Sequence, residues 1–328
     1  MKTFLKIVGG VVLVVIALIA GAVTWLTVRK PASRPASTEK VEATPERLAR
    51  GKYVVEHVAD CLACHSDHVV KFSIPVKPGT EGQGGYIFDK NIGFPGVVAA
   101  QNLTADQEFG LGQWSDGEII RAVREGIDRN GDALFPMMPY EHFRSMSDDD
   151  VKAVVVYLRT LKPIHKSVPA KHIDFPVNLF VKFTPKPVES VVKTPDPQDR
   201  VAYGKYMATI GGCYECHTPH DDKGMRIAEK AFSGGWEMKG PWGRNFTANI
   251  TPAGGYMSRA TKAEFIGRFK AFASMDANTA PETPAGHNTV MSWIAFSGMT
   301  EQDLGAIYDY LKTVKPIENK VVTFPDAK

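Results

Sequence analysis

The chain opens with a sharp division of polar and apolar positions. Met1-Lys2-Thr3-Phe4-Leu5-Lys6 is followed by an uncharged run from Ile7 to Val28, closed by Arg29-Lys30. As a helix that run is about 33 Å long, enough to cross a bilayer. A cleaved signal peptide is the competing reading, and Ala20-Gly21-Ala22 has the small-x-small shape of a cleavage site. Apolar residues nevertheless continue through Leu26, and Trp25 stands where an interfacial aromatic is expected. Residues 1–30 therefore predict a retained membrane anchor. Residues 31–43, rich in Pro, Ala and Ser, predict a semi-extended tether. Helical signals follow. Thr44-Pro45-Glu46 offers an N-cap, a first-turn proline and an acid, ahead of Leu48, Tyr53 and Val54. Residues 72–100 are Gly/Pro-rich without a sustained period. Ser115-Asp116-Gly117-Glu118 is a capping box before Ile119, Ile120 and Val123. Ser147 with three aspartates opens a helix through Leu161 that Pro163 ends.

After an irregular stretch at 164–193, Thr194-Pro195-Asp196-Pro197 begins the cycle again. Gly51-Lys52-Tyr53 lies ten residues before Cys61, and Gly204-Lys205-Tyr206 nine before Cys213. Asn102-Leu103-Thr104 returns as Asn249-Ile250-Thr251, and Ser115-x-x-Glu118 as Thr261-x-x-Glu264. Met138 to Ile164 aligns without a gap on Met291 to Ile317, sharing Met146/Met299, Asp150/Asp303, Tyr157/Tyr310 and Lys162-Pro163/Lys315-Pro316. A repeat of this kind predicts a duplicated domain, with copies at 44–166 and 194–328 and an inter-domain segment at 167–193.

All four cysteines fall in two pentads at equivalent places in the repeat: Cys61-Leu62-Ala63-Cys64-His65 and Cys213-Tyr214-Glu215-Cys216-His217. Two cysteines three positions apart and then histidine match the attachment site of a c-type haem. The thiols form thioethers to the two vinyl groups, and the imidazole reaches the iron from one face. A four-cysteine zinc site or two redox disulfides are the alternatives. Neither gives a reason for a histidine directly after both pairs. The sequence thus predicts two covalently bound haem c groups. Cys61, Cys64, Cys213 and Cys216 carry the attachment, and His65 and His217 are the proximal iron ligands.

Each half resembles a class I c-type cytochrome: a first helix running into CxxCH, a loop around the haem, a methionine, and a C-terminal helix packed across the first. The chain is similar to the multihaem cytochrome c subunits of membrane-bound periplasmic dehydrogenases, whose Asn-(Leu/Ile)-Thr, Met-Pro-(Tyr/Trp) and Met-(Ser/Thr)-x-x-Asp segments match over about residues 44–328. The resemblance implies an all-α fold of two tandem class I cytochrome c domains behind a transmembrane helix. It implies Met138 of Met138-Pro139-Tyr140 as sixth ligand of one iron. The repeat makes Met291 its equivalent, although Met291-Ser292-Trp293 lacks the proline. Met137 is an adjacent alternative without a counterpart, since Val290 holds the matching place. Met146 and Met299 read as core residues before the last helix of each half. His68 and His220, each three residues after a proximal histidine, read as surface or propionate contacts. His57, His142, His165, His172 and His287 read as surface or loop residues. Trp114, Trp236, Trp242 and Trp293 are candidates to pack on porphyrin.

Thioether ligation stabilises Fe(II) and closes the iron to small molecules, which favours electron transfer over catalysis. The expected donors are a periplasmic dehydrogenase or a quinol-oxidising complex; the expected acceptors are another cytochrome, a terminal oxidase or quinone. A dihaem peroxidase, a sulfur-compound dehydrogenase and a structural haem subunit are the alternatives. Haem c attachment outside the bacterial cytoplasmic membrane implies an inner-membrane anchor with the haem domains in the periplasm. The formal charge of +3 adds a constraint. Residues 1–30 alone contribute +4, and the remaining 298 sum to −1, so nothing suggests a nucleic-acid partner.

Overall fold

The computed structural model describes residues 1–222, 224–240, 243–284 and 287–325. Helix α1 (Lys2–Val28) buries none of its residues and has a mean hydropathy of 2.8 over its most apolar window. Its C-terminal end is fixed to the body. Arg29 lies over the rings of Trp25 (4.9 Å) and Phe183 (4.6 Å), and Lys182 Nζ donates to the carbonyls of Leu26 (3.3 Å) and Thr27 (2.6 Å).

Residues 31–43 are extended and touch the first half at several points. Arg34 pairs with Glu125, whose side chain is fully buried (2.7 Å). The Val41 N–H donates to Asp116 (2.9 Å). The Ser37 backbone lies so close to Gly117 that a Cβ there would meet its carbonyl oxygen at 2.0 Å. The Pro/Ala/Ser composition that signals a linker is also what lets an extended strand lie flat on a helix.

Helix α2 (Pro45–Tyr53), with Thr44 as N-cap, runs through an i→i+5 turn at Val54–Val58 to α3 (Leu62–His65). Helix α4 (Asp116–Glu125) begins with the expected Ser115/Glu118 box. The short α5 (Tyr140–Phe143) then precedes α6 (Asp148–Leu158), capped by Ser147. Helix α7 (Val177–Phe180) lies beside the end of α1. The order recurs in α8 (Arg200–Ile210), α9 (Cys213–His217), α10 (Lys262–Lys270) with its Thr261/Glu264 box, α11 (Trp293–Ser297) and α12 (Glu301–Leu311), capped by Thr300.

The chain is mostly helical, with small sheets of which helical periodicity gives no sign. β1 (Ile87–Phe88), β2 (Gly96–Ala99) and β3 (His172–Ile173) form an antiparallel sheet in that order, and β4 (Glu237–Gly240) pairs with β5 (Gly243–Phe246). These pairs are two to four residues long, too short for an alternating pattern to stand out. β3 also returns residues within 167–193 to the first half.

Helix α2 packs across α6, and α8 across α12. The repeated glycine of Gly-Lys-Tyr makes both crossings possible. A Cβ on Gly51 would lie 1.9 Å from the Ala153 carbonyl oxygen, and one on Gly204 1.8 Å from that of Ala306. The tyrosine of the same triplet links the halves reciprocally. Tyr206 donates to Asp150 and accepts from the Ser147 N–H (3.1 Å) at the start of α6. Tyr53 donates to Asp303 and accepts from the Thr300 N–H (3.1 Å) at the start of α12. One continuous core joins the halves: Val54, Val55 and Val58 belong to the same buried cluster as Tyr206, Met207 and Ile210.

Candidate haem-binding sites

Each pentad follows a helix whose end is turned by one left-handed residue. In the second half this is Gly212 (φ 68°), directly before Cys213; in the first it is Asp60 (φ 46°), directly before Cys61. The i→i+5 turn explains why Gly51 stands ten residues before its cysteine and Gly204 only nine. The Ala59 N–H reaches the Val54 carbonyl (2.7 Å), absorbing one extra residue as a π-bulge without moving the motif. In the helical turns of α3 and α9, cysteines three apart fall on one face.

The four thiols are free. Burial, aided by the charge of Asp60, pushes those of Cys61 and Cys64 up to about 12. Burial does the same for Cys213 and Cys216. Yet Cys64 is solvent-exposed and the other three are half-exposed. Thiols enclosed by protein while keeping open surface lie in a recess, not in a filled core. Among the described residues no group of three or more His, Cys, Asp or Glu converges as a metal ion would need, so the zinc alternative finds no support.

His65 and His217 are set identically. The Nδ1–H of His65 donates to the Gln101 carbonyl (2.7 Å), and that of His217 to the Ala248 carbonyl (2.7 Å). Burial lowers both pKa values, only partly offset by these bonds, which favours neutral rings with the proton on Nδ1 and the lone pair of Nε2 free to bind a metal. The two carbonyls carry no side-chain signature and are not legible in the sequence. The residue after each is: Asn102 and Asn249 belong to the repeated Asn-x-Thr. Asn102 Nδ2 donates to the carbonyls of Ile164 (2.8 Å) and Lys166 (3.2 Å), and its Oδ1 accepts from the N–H (2.9 Å) and hydroxyl (2.7 Å) of Thr104. Asn249 does the same with Ile317, Asn319 and Thr251. The motif ties the carbonyl that orients each histidine to the segment after the last helix.

Met138 and Met291, like Cys61 and Cys213, sit half-buried at the margin of the core. Met137 is exposed (41%), whereas Met146 and Met299 are buried beside the N-caps of α6 and α12. Thiols three apart and an imidazole with its tautomer fixed, with a half-buried methionine elsewhere in the same half, are a donor set that fits covalent haem.

Two histidines differ from their surface reading. His57 Nδ1 contacts the Ala295 carbonyl across the halves (2.9 Å). His142 is buried and pairs through Nε2 with Glu215, inside the second pentad (2.7 Å). Burial would raise the Glu215 pKa, but His142 and Arg226 together bring it below the usual value. His220 stacks on Trp236 at 3.9 Å and His68 meets Tyr86 edge-on at 6.1 Å, a repeated ring pair. Trp114 and Trp293 lie at the core margin, and Trp242 lies outside the described residues.

No protein-family model matches the chain. Individual proteins do. The chain is 29% identical over 69% of its length to one subunit of the nicotinate dehydrogenase of Pseudomonas putida, covering 18% of that protein. It is 26% identical over 84% of its length to the cytochrome c subunit of alcohol dehydrogenase (quinone) of Gluconacetobacter polyoxogenes, covering 58% of it. It is 26% identical over 94% of its length to a diheme cytochrome c-type protein of Cereibacter sphaeroides, covering 98% of it. The chain thus resembles cytochrome c subunits of dehydrogenases and a diheme cytochrome c. It spans little more than half of the alcohol dehydrogenase subunit and under a fifth of the nicotinate dehydrogenase one.

Proposed function

We propose that this chain is a membrane-tethered dihaem cytochrome c that passes single electrons from a periplasmic dehydrogenase or quinol-oxidising complex to a cytochrome, a terminal oxidase or quinone. It consists, in this reading, of two tandem class I cytochrome c domains. Residues 44–166 hold haem through Cys61 and Cys64, with His65 and Met138 on the iron. Residues 194–328 do so through Cys213 and Cys216, with His217 and Met291. Bound haem supplies the one-electron Fe(III)/Fe(II) couple. The polypeptide's cysteines would attach the haem, each imidazole is held in one tautomer, and Met138 and Met291 would offer the iron a soft ligand. The observation that carries the reading is the duplicated bond from histidine Nδ1 to a backbone carbonyl, held each time by a buried Asn-x-Thr clamp.

A dehydrogenase as donor is favoured by two of the relatives, both of them dehydrogenase subunits. Anchoring at the bacterial inner membrane, with the haem domains in the periplasm, is favoured by α1 and by how its end is held. Lys182 and Arg29 pin it beside exposed Phe175, Phe180 and Phe183, a rim of aromatic surface suited to the bilayer interface. The test is spectroscopic. The purified chain should contain two haem c groups, low-spin when oxidised, with the near-infrared charge-transfer band of methionine-ligated Fe(III). Met138→Ala and Met291→Ala should each remove about half of that band, as expected for two equivalent Met/His sites. High-spin iron in the wild type, or rapid peroxide turnover, refutes the carrier reading.

A further inference from the structure

The two methionine segments are held by different means. In the first half Met138 lies within Phe135-Pro136-Met137-Met138-Pro139, where two prolines restrict the backbone. The matching Asn288-Thr289-Val290-Met291-Ser292 has none. What fixes it is a set of hydrogen bonds, several of them from the first half. Residues 68–76 fold back on themselves, His68 bridging to Val76, and place Ser73 against the second half. Ser73 Oγ donates to the Met291 carbonyl (2.7 Å) and accepts from the Ile294 N–H (3.4 Å). The Ser73 N–H donates to Asn288 Oδ1 (3.1 Å), and Asn288 Nδ2 donates to the Lys71 carbonyl (2.8 Å). Phe72 adds a backbone bond to the Pro281 carbonyl (3.0 Å) and stacks on Phe272 at 5.1 Å. Ser292, standing where the first half has Pro139, meets the side chain of Asp60. Ser73 and Asn288 are both buried, 7% and 3% exposed.

The backbone of the reaching loop is unusual. Ser73 (φ 61°) and Ile74 (φ 47°) are consecutive non-glycine residues in the left-handed region. Such conformations persist only where the surroundings over-determine them, and they concentrate at functional positions. Glycine would adopt them freely, but glycine has no hydroxyl to offer Met291.

We infer that Ser73 is a positioning residue for the second haem. It replaces the missing proline, and through the Met291 carbonyl it fixes the segment that presents the Met291 thioether. How firmly Met291 would hold the iron therefore depends on a loop of the first half. This rests on the reading of Met291 as an iron ligand.

The test uses the full haem-loaded chain and follows the near-infrared methionine–Fe(III) band against rising pH, where a loosened methionine gives way to stronger-field ligands. Met138→Ala and Met291→Ala first identify which half of the band belongs to which site. Ser73→Gly keeps the backbone conformation, and relieves it, while removing the hydroxyl. It should make the Met291 half of the band fail at about tenfold lower hydroxide concentration, the shift given by losing the one of its two bonds that reaches the Met291 carbonyl, with the Met138 half unmoved. Ser73→Ala should give the same displacement, and Ser73→Gly should do so without lowering the thermal midpoint of the protein. An unchanged band–pH curve in Ser73→Gly, or equal movement of both halves, overturns the proposal. A full band in Met291→Ala overturns the ligand reading itself, whatever Ser73 does.

Discussion

Replacing Asn102 with alanine tests the link between fold and haem geometry most directly. Asn102 is 1% exposed and takes part in four hydrogen bonds, and its neighbour Gln101 supplies the carbonyl that holds His65. The variant leaves the N–H of Thr104, a residue with no exposed surface, without its acceptor. An orphaned buried donor costs about 1–3 kcal/mol, and each of the two half-buried carbonyls, which water can reach, loses about 0.5–1.5 kcal/mol. The total of about 2–6 kcal/mol lowers the melting temperature of a protein this size by roughly 3–9 °C. The redox consequence is local. With its anchor loosened, the Gln101 carbonyl holds the His65 ring less firmly, so under the two-haem reading one wave of a potentiometric titration moves while the other stays. Asn249→Ala should move the other wave at a smaller cost in stability, because the Thr251 hydroxyl still reaches the Ile317 carbonyl (3.2 Å). A melting temperature within about 1 °C of wild type, or two waves shifting together, would refute the clamp.

Gly204→Ala places a methyl group 1.8 Å from the Ala306 carbonyl, so α8 and α12 must part by about 1.5 Å to restore ordinary contact. The overpacking, about 1–3 kcal/mol, should exceed the ~1 kcal/mol gained in helix propensity; a urea midpoint above that of wild type counts against it. Tyr206→Phe deprives the buried Ser147 N–H of its acceptor and should cost about 2 kcal/mol. Tyr53→Phe, at a half-exposed site, should cost less in the same urea titration, and the reverse order sinks the argument. Asp60 titrates near 6, raised by burial against the Ser292 hydrogen bond. A folded pKa above the unfolded one means its stabilisation is complete below about pH 4 and lost as pH rises through about 6. Asp60→Asn should therefore gain on wild type between pH 4 and 7, by at most about 3 kcal/mol; melting curves whose difference does not change with pH contradict this.

What the sequence reveals depends on whether a side chain carries the information. The pentads, the two capping boxes and the N-caps Ser147 and Thr300 are side-chain devices with fixed spacing, and each appears where the pattern puts it. The Asn-x-Thr and Gly-Lys-Tyr triplets are visible as repeats, but their work is not. Gly51 matters for what Ala153 brings near it, and Tyr53 for an aspartate 250 residues away. The histidine-orienting carbonyls of Gln101 and Ala248 are backbone atoms that any residue supplies. At 31–43 a composition poor in large apolar residues predicts an extended tether without showing what it touches, here Glu125 and Asp116. His57 and His142 read as surface residues because they lack repeat counterparts. They lack them because each serves the contact between halves, where an imperfect duplication makes its two sides different.

That contact bears on how two haems in one chain would work together. Domains joined by a flexible linker meet only as often as their effective concentration allows, and electron transfer between them follows that encounter. Here the Ser147/Asp150 cap of α6 is completed by Tyr206, and the Thr300/Asp303 cap of α12 by Tyr53. Each half thus takes one hydroxyl from the other at the start of its last helix. Separating them would expose Val54, Val55 and Val58 on one side and Met207 and Ile210 on the other, and would take one tyrosine hydroxyl from each of the buried aspartates Asp150 and Asp303. A fragment of residues 31–193 should therefore be markedly less stable than the intact chain, and adding the complementary fragment should restore it. If the halves instead fold alone with full stability, the rigid pairing argued here fails. The separation between the two recesses would then be a matter of diffusion rather than of structure.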